Sequence, residues 1–128
     1  MLSFFISCGS ILQVQKTTIR QEQLPVVCNG LVELINTSWI KSKINKCHFD
    51  NGIHKKLEIE YGDCLKLMNK SQILELLGSP DDTEQQFFYY YFFDEERSRK
   101  SPLIHYLFIG FDKENVYYIE SGRRVIMS

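Results

Sequence analysis

Several groupings of residue types in this 128-residue chain have the chemistry for a ligand or a reaction. Cys47-His48, His54 and Cys64 offer two thiolates and two imidazoles, a zinc donor set. Structural zinc sites pair their ligands at close repeats, and positions 47, 48, 54 and 64 do not; the spacing predicts surface histidines and buried cysteines, with no metal. A cysteine nucleophile needs a base and an orienting group beside it. His105 stands in an apolar run, where it reads as a strand residue with a satisfied ring. Asp81-Asp82 offers paired carboxylates, but directly after Pro80 a turn accounts for them. No glycine-rich phosphate cradle and no G-x-S-x-G elbow occurs. These residues predict no catalytic site, no metal and no cofactor.

One cysteine has a different chemistry in reach. Leu2-Ser3-Phe4-Phe5-Ile6-Ser7 is apolar and ends at Cys8-Gly9-Ser10. Phe5-Ile6-Ser7-Cys8-Gly9 resembles a bacterial lipobox, in which a bulky apolar residue and two small or medium ones precede the cysteine that takes lipid. It departs in having Phe5 where leucine is usual and in lacking the basic n-region that precedes the apolar run of a signal. On this reading residues 1–8 are the end of a signal, Cys8 is lipidated, and the polar stretch 9–30, rich in glutamine, is a linker reaching on the order of 25 Å. The alternative is an N-terminal strand with a buried thiol, residues 9–30 wrapping the domain through Ile11, Val14, Val26 and Val27. Either way 31–128 is the domain. Of the other cysteines, Cys47 and Cys64 are closest and flank one helical segment, so they are the disulfide candidate in an oxidising compartment; in cytosol all stay reduced.

Fifteen basic against sixteen acidic residues leave a net charge of −1. Phosphate affinity is built from clustered Lys and Arg, so the balance predicts no nucleic-acid partner. No apolar stretch approaches the roughly 18 residues of a bilayer span, and a lipid anchor is the only membrane contact predicted.

The elements follow from periodicity and punctuation. Leu31, Leu34, Ile35, Trp39 and Ile40 keep rough helical spacing, and Asn36-Thr37-Ser38 interrupts with poor helix formers, which predicts a short helix and then an extended piece. Ile53, Leu57, Tyr61, Cys64 and Leu65 line one helical face, predicting a helix over 52–61 with Gly62 as kink or cap. Asn69 as N-cap, Gln72 reaching back, Met68 stapled to Ile73, then Gly78 and Pro80 predict a helix over 70–77. The run 87–93 is entirely aromatic and suits a strand. A charged loop at 94–102, a strand at Leu103–Phe111, a turn at 112–115 and a strand at Val116–Glu120 complete an antiparallel meander. The prediction is an α+β fold of two layers, two short helices packed on a three-stranded antiparallel meander in the order ααβββ.

The segment from Asn69 through Leu77-Gly78-Ser79-Pro80 to Asp81 resembles the signature of the SmpA/OmlA-type lipoprotein domain, where a short helix ending in Leu-Gly-x-Pro precedes an aromatic strand. The later pattern over Ile109–Val116 is similar too, and the topology resembles β-lactamase-inhibitor-like domains. The likeness spans about residues 53–120; it departs at Leu67-Met68, where the family has a Gly-Met turn. What it implies is a small lipoprotein of the bacterial envelope, facing the periplasm, that scaffolds an outer-membrane assembly without catalysis.

Alternation in the strands sends side chains to both faces, and both are apolar. Two short helices cover one face; the other needs the chain's own N-terminal half, a second copy, or a foreign protein. Tyrosine suits an interface because its hydroxyl tolerates water. The predicted docking residues are Phe88, Tyr89, Tyr90, Tyr91, Tyr106, Tyr117 and Tyr118. The function expected is a protein-interaction or scaffold module of the envelope. The alternative is an inhibitor or immunity-type protein, cytoplasmic or secreted, using the same sheet to block an enzyme.

Overall fold

A computed structural model of the chain describes residues 17–40, 52–93 and 103–125; Cys8, Cys47, His48 and the loop 94–100 lie outside them. The fold is α+β, helices on one face of a four-stranded antiparallel sheet in the order β1-β2-β3-β4. The strands are β1 (Asp82–Glu84), β2 (Phe87–Phe93), β3 (Leu103–Asp112) and β4 (Asn115–Val125). The fourth strand is β1, where the sequence reads as a turn. Asp-Thr-Glu has little strand propensity, but aromatic β2 would otherwise leave its backbone groups unpaired along that edge. β1 pairs Asp82 with Tyr89 and Glu84 with Phe87. Asp81 adds to the edge: its N–H donates to the Tyr89 carbonyl at 2.8 Å, and its Oδ2 accepts from the Tyr91 N–H at 2.7 Å.

The helices are α1 (Leu31–Leu34), widened into a π turn over Ile35–Trp39, then α2 (Ile53–Leu65) and α3 (Lys70–Leu77). The poor helix formers at 36–38 loosen the helix without ending it, because Thr37 turns its hydroxyl onto the Glu33 carbonyl at 2.7 Å. α2 runs through Gly62 to Leu65, longer than its pattern suggests: burying Cys64 and Leu65 outweighs the roughly 1 kcal/mol a helical glycine costs.

α3 has the predicted boundaries and caps. Asn69 Oδ1 accepts from the Gln72 N–H at 2.8 Å, and Gln72 Oε1 accepts from the Asn69 N–H at 3.0 Å. Gly78 ends the helix at φ +86°, ψ −174°, a region essentially reserved for glycine. Replacing Asn69 with alanine removes one half of this reciprocal pair and is expected to lower the unfolding free energy by about 1 kcal/mol in urea titrations, with the m-value unchanged.

The segment 17–30 lies against the domain instead of spanning away from it. Ile19 is buried, Thr17 N–H donates to Asn36 Oδ1 at 3.0 Å, and the Thr17 hydroxyl donates to the Glu75 carbonyl at 3.0 Å. Gln21 clamps both sides, donating to the Cys28 carbonyl at 2.8 Å and accepting from Val32 N–H at 3.0 Å. The decisive tie is covalent: Cys28 is bonded to Cys64, with Cα atoms 5.1 Å apart. This corrects the expected Cys47–Cys64 pairing. Proximity in sequence favours Cys47, but the wrap carries Cys28 onto the buried side of α2, where Cys64 faces it.

Trp39 is the hub of the core. Its ring meets Tyr90 at 5.2 Å and Phe92 at 5.1 Å, both edge-on, and its indole N–H donates to the Leu77 carbonyl at 3.0 Å. The Tyr90 hydroxyl donates to the Gly78 carbonyl at 2.7 Å, so the helix stop and the strand hold each other.

Candidate functional site

Cross-strand partners in an antiparallel sheet share a face, so the register sorts every strand residue. Phe88, Tyr90 and Phe92 of β2, Leu107, Ile109 and Phe111 of β3, and Val116 and Ile119 of β4 face the helices and are buried. Phe88 and Tyr90 are therefore core residues, which corrects their place among the docking candidates. In β4 the register shifts beside Gly110 and Phe111, and the extra residue lets Val116 and Ile119, three apart, both point inward.

The outer face holds Phe87, Tyr89 and Tyr91 from β2, Tyr106 and Phe108 from β3, and Tyr118 and Glu120 from β4. Of the predicted docking residues, Tyr89, Tyr91, Tyr106 and Tyr118 share this face, and Tyr117 is exposed at the shift in register. The rings form a mutually touching array. Tyr89 meets Phe108 at 5.0 Å and Tyr91 at 6.1 Å, while Phe108 meets Phe87 at 5.0 Å and Tyr118 at 5.7 Å. Tyr118 is 42% exposed and Tyr117 55%, and the rings of Phe87, Tyr89, Tyr91, Tyr106 and Phe108 are half-buried.

Two glycines make the floor of this array. A Cβ at Gly122 would come within 2.5 Å of the Tyr106 hydroxyl oxygen, and one at Gly110 within 3.2 Å of the Phe87 ring. Both rings thus lie down over bare backbone instead of standing off the sheet. Beside the lowered Tyr106 a cup of about 270 Å³ opens, lined by Tyr89, Tyr91, Tyr106, Phe108 and Glu120. Sequence reasoning misses Phe108 and Glu120; the signal for the cup is the pair of glycines at interior positions of β3 and β4.

Carboxylates ring the array. Asp82 and Glu84 share the face with their partners Tyr89 and Phe87, and Glu120 shares it with Phe108. The Tyr89 hydroxyl donates to Glu84 Oε1 at 3.3 Å and the Tyr118 hydroxyl to Glu120 Oε1 at 3.1 Å. The bond to Glu120, and that carboxylate's charge, push the Tyr118 phenol up from its ordinary value. No family model, curated protein or solved structure matches this chain.

A larger cavity, about 550 Å³, lies on the helix side between α2 and the β3–β4 strands, lined by Gly52, His54, Lys55, His105, Ser121, Gly122 and Arg123. His54, expected at the surface, is buried, its ring 5.9 Å from Phe92 and 5.0 Å from His105. Burial first, then the charges of His105 and Lys55, hold its pKa down at about 4, with Glu58 opposing them. The Ser121 hydroxyl donates to Glu58 Oε1 at 2.5 Å and its backbone N–H reaches the same oxygen at 3.2 Å. These polar groups knit α2 to β4. Cys64, locked in its disulfide, has no thiolate to offer a metal beside His54. Among the described residues no helix is long and apolar enough to cross a membrane.

Proposed function

We propose that this chain is a non-catalytic interaction module that docks a protein partner on the outer face of its sheet. The carrying observation is that face: contiguous aromatic rings, half-buried to exposed, bordered by carboxylates. Amphipathic tyrosine patches of this kind are typical of interface centres, and half-wet rings in contact lose little entropy on docking. The smaller cup is preferred over the larger helix-side cavity because Ser121 in the lining of the latter is engaged by Glu58 in joining α2 to the sheet.

The compartment proposed is the bacterial envelope. The likeness of residues 69–81 to the SmpA/OmlA-type signature supports it, as does the likeness of residues 5–9 to a lipobox. The Cys28–Cys64 bond supports it independently, since disulfides persist where the surroundings oxidise.

Two measurements test this reading. A photocrosslinking phenylalanine analogue placed at Phe87, Phe108 or Tyr118 is expected to give one shared crosslinked protein in cells, and the same analogue at exposed Ile59 on α2 or Leu67 in the turn between α2 and α3 to give none. Equal labelling from both sides would overturn the docking face. Radiolabelled palmitate is expected to enter the membrane-fraction protein through Cys8 and to be lost in Cys8→Ala; an unlabelled protein removes the anchor. If the crosslinked partner is an enzyme silenced in a one-to-one complex, the module is an inhibitor.

A further inference from the structure

The outer face specifies the chemistry of what it docks. Tyr89, Tyr91, Tyr106 and Phe108 wall the cup, and Glu120 supplies the one charged group among the described residues of its lining. Aromatic faces present the negative side of their quadrupole, and several rings around one point attract a cation, most strongly one whose hydration is weak enough to shed. A carboxylate in the same wall adds a full negative charge. The glycines at 110 and 122 keep Phe87 and Tyr106 flat, so the rings enclose a volume instead of filling it. Asp82 and Glu84 extend the same sign of charge along β1. An uncharged apolar partner would have to desolvate these carboxylates with nothing in return; a basic one pairs with them.

We propose that the cup receives an alkylammonium group, delivered as a lysine side chain of the docked protein: the methylene stem lies along the rings and the ammonium reaches Glu120. This rests on the docking reading above and gives it a partner chemistry.

The test uses the full chain with ring-selective isotope labels and two small probes, Nα-acetyl-lysine N-methylamide and the uncharged Nα-acetyl-norleucine N-methylamide. The lysine probe is expected to shift the Tyr89, Tyr91, Tyr106 and Phe108 ring signals saturably in the millimolar range, at least fivefold more tightly than norleucine. Glu120→Gln, which keeps size and hydrogen-bonding capacity, is expected to weaken lysine binding three- to tenfold while leaving norleucine unchanged. Raising the salt should weaken the lysine probe alone. Equal response to both probes, or none, overturns the proposal even where the face crosslinks its partner. Phosphatidylcholine vesicles shifting the same rings while the lysine probe does not would also overturn it, assigning the cup to a lipid headgroup. Loss of crosslinking from the outer face overturns the docking reading itself, so the two failures are distinguishable.

Discussion

Breaking the Cys28–Cys64 bond is expected to lower the unfolding free energy by about 3–4 kcal/mol, with a fall in Tm on the order of 15 °C. The bond closes a loop whose ends are 36 residues apart, and the chain-entropy cost removed from the unfolded state scales with the logarithm of that length. Both cysteines have no exposed surface, so Cys28→Ala/Cys64→Ala is the better variant; serines would bury two hydroxyls and add their desolvation to the result. Urea unfolding of the oxidised, the reduced and the double-alanine protein measures the effect, the last two agreeing within about 1 kcal/mol. The loss should also have an address. Hydrogen exchange is expected to accelerate first across 17–30, because this segment holds the domain through few buried groups besides the disulfide, chiefly Ile19 and the Gln21 clamp. A difference below 1 kcal/mol would mean that the unfolded chain already keeps Cys28 near α2.

What the sequence discloses depends on how local the deciding interaction is. α3 is legible to the residue because Asn69, Gln72 and Gly78 settle its ends within one or two turns. β1 is invisible for the opposite reason: its strand state is imposed by the backbone of β2, and only Thr83 in Asp-Thr-Glu favours it. The disulfide is equally non-local, since what brings Cys28 to Cys64 is a wrap held by Gln21, Tyr61 and Ile19. The docking face was half legible. A run of seven aromatics has alternation but no phase, because either set of alternate residues could face the core. Only the register against β3 shows that Tyr90 goes in and Tyr89 out. In β4 the shift beside Gly110 breaks the period altogether, which is why Val116 and Tyr118, two apart, end on opposite faces.

Acid is expected to destabilise the protein through one side chain. His54 binds its proton near pH 4 in the folded state and near 6.5 when unfolded. Between those values the unfolded state carries more protons, so stability rises with pH there and is lost on going down. Above pH 6.5 the neutral ring contributes no penalty; descending to pH 4 costs up to about 3 kcal/mol, with a limiting slope near 1.4 kcal/mol per unit. The cause is the site itself: α2 and Phe92 strip water from the ring, His105 faces it from β3 at 5.0 Å, and Lys55 adds a second positive charge, leaving Glu58 to oppose them. His54→Leu keeps a buried apolar side chain and is expected to flatten the stability profile between pH 6.5 and 4 in urea titrations. His105→Leu removes one of the positive neighbours and should raise the His54 pKa, shrinking the slope without abolishing it. Carboxylates that lose favourable partners would act mainly at the acid end of this window, so a wild-type slope confined to pH below 4, and unchanged in His54→Leu, would assign the acid sensitivity to them instead.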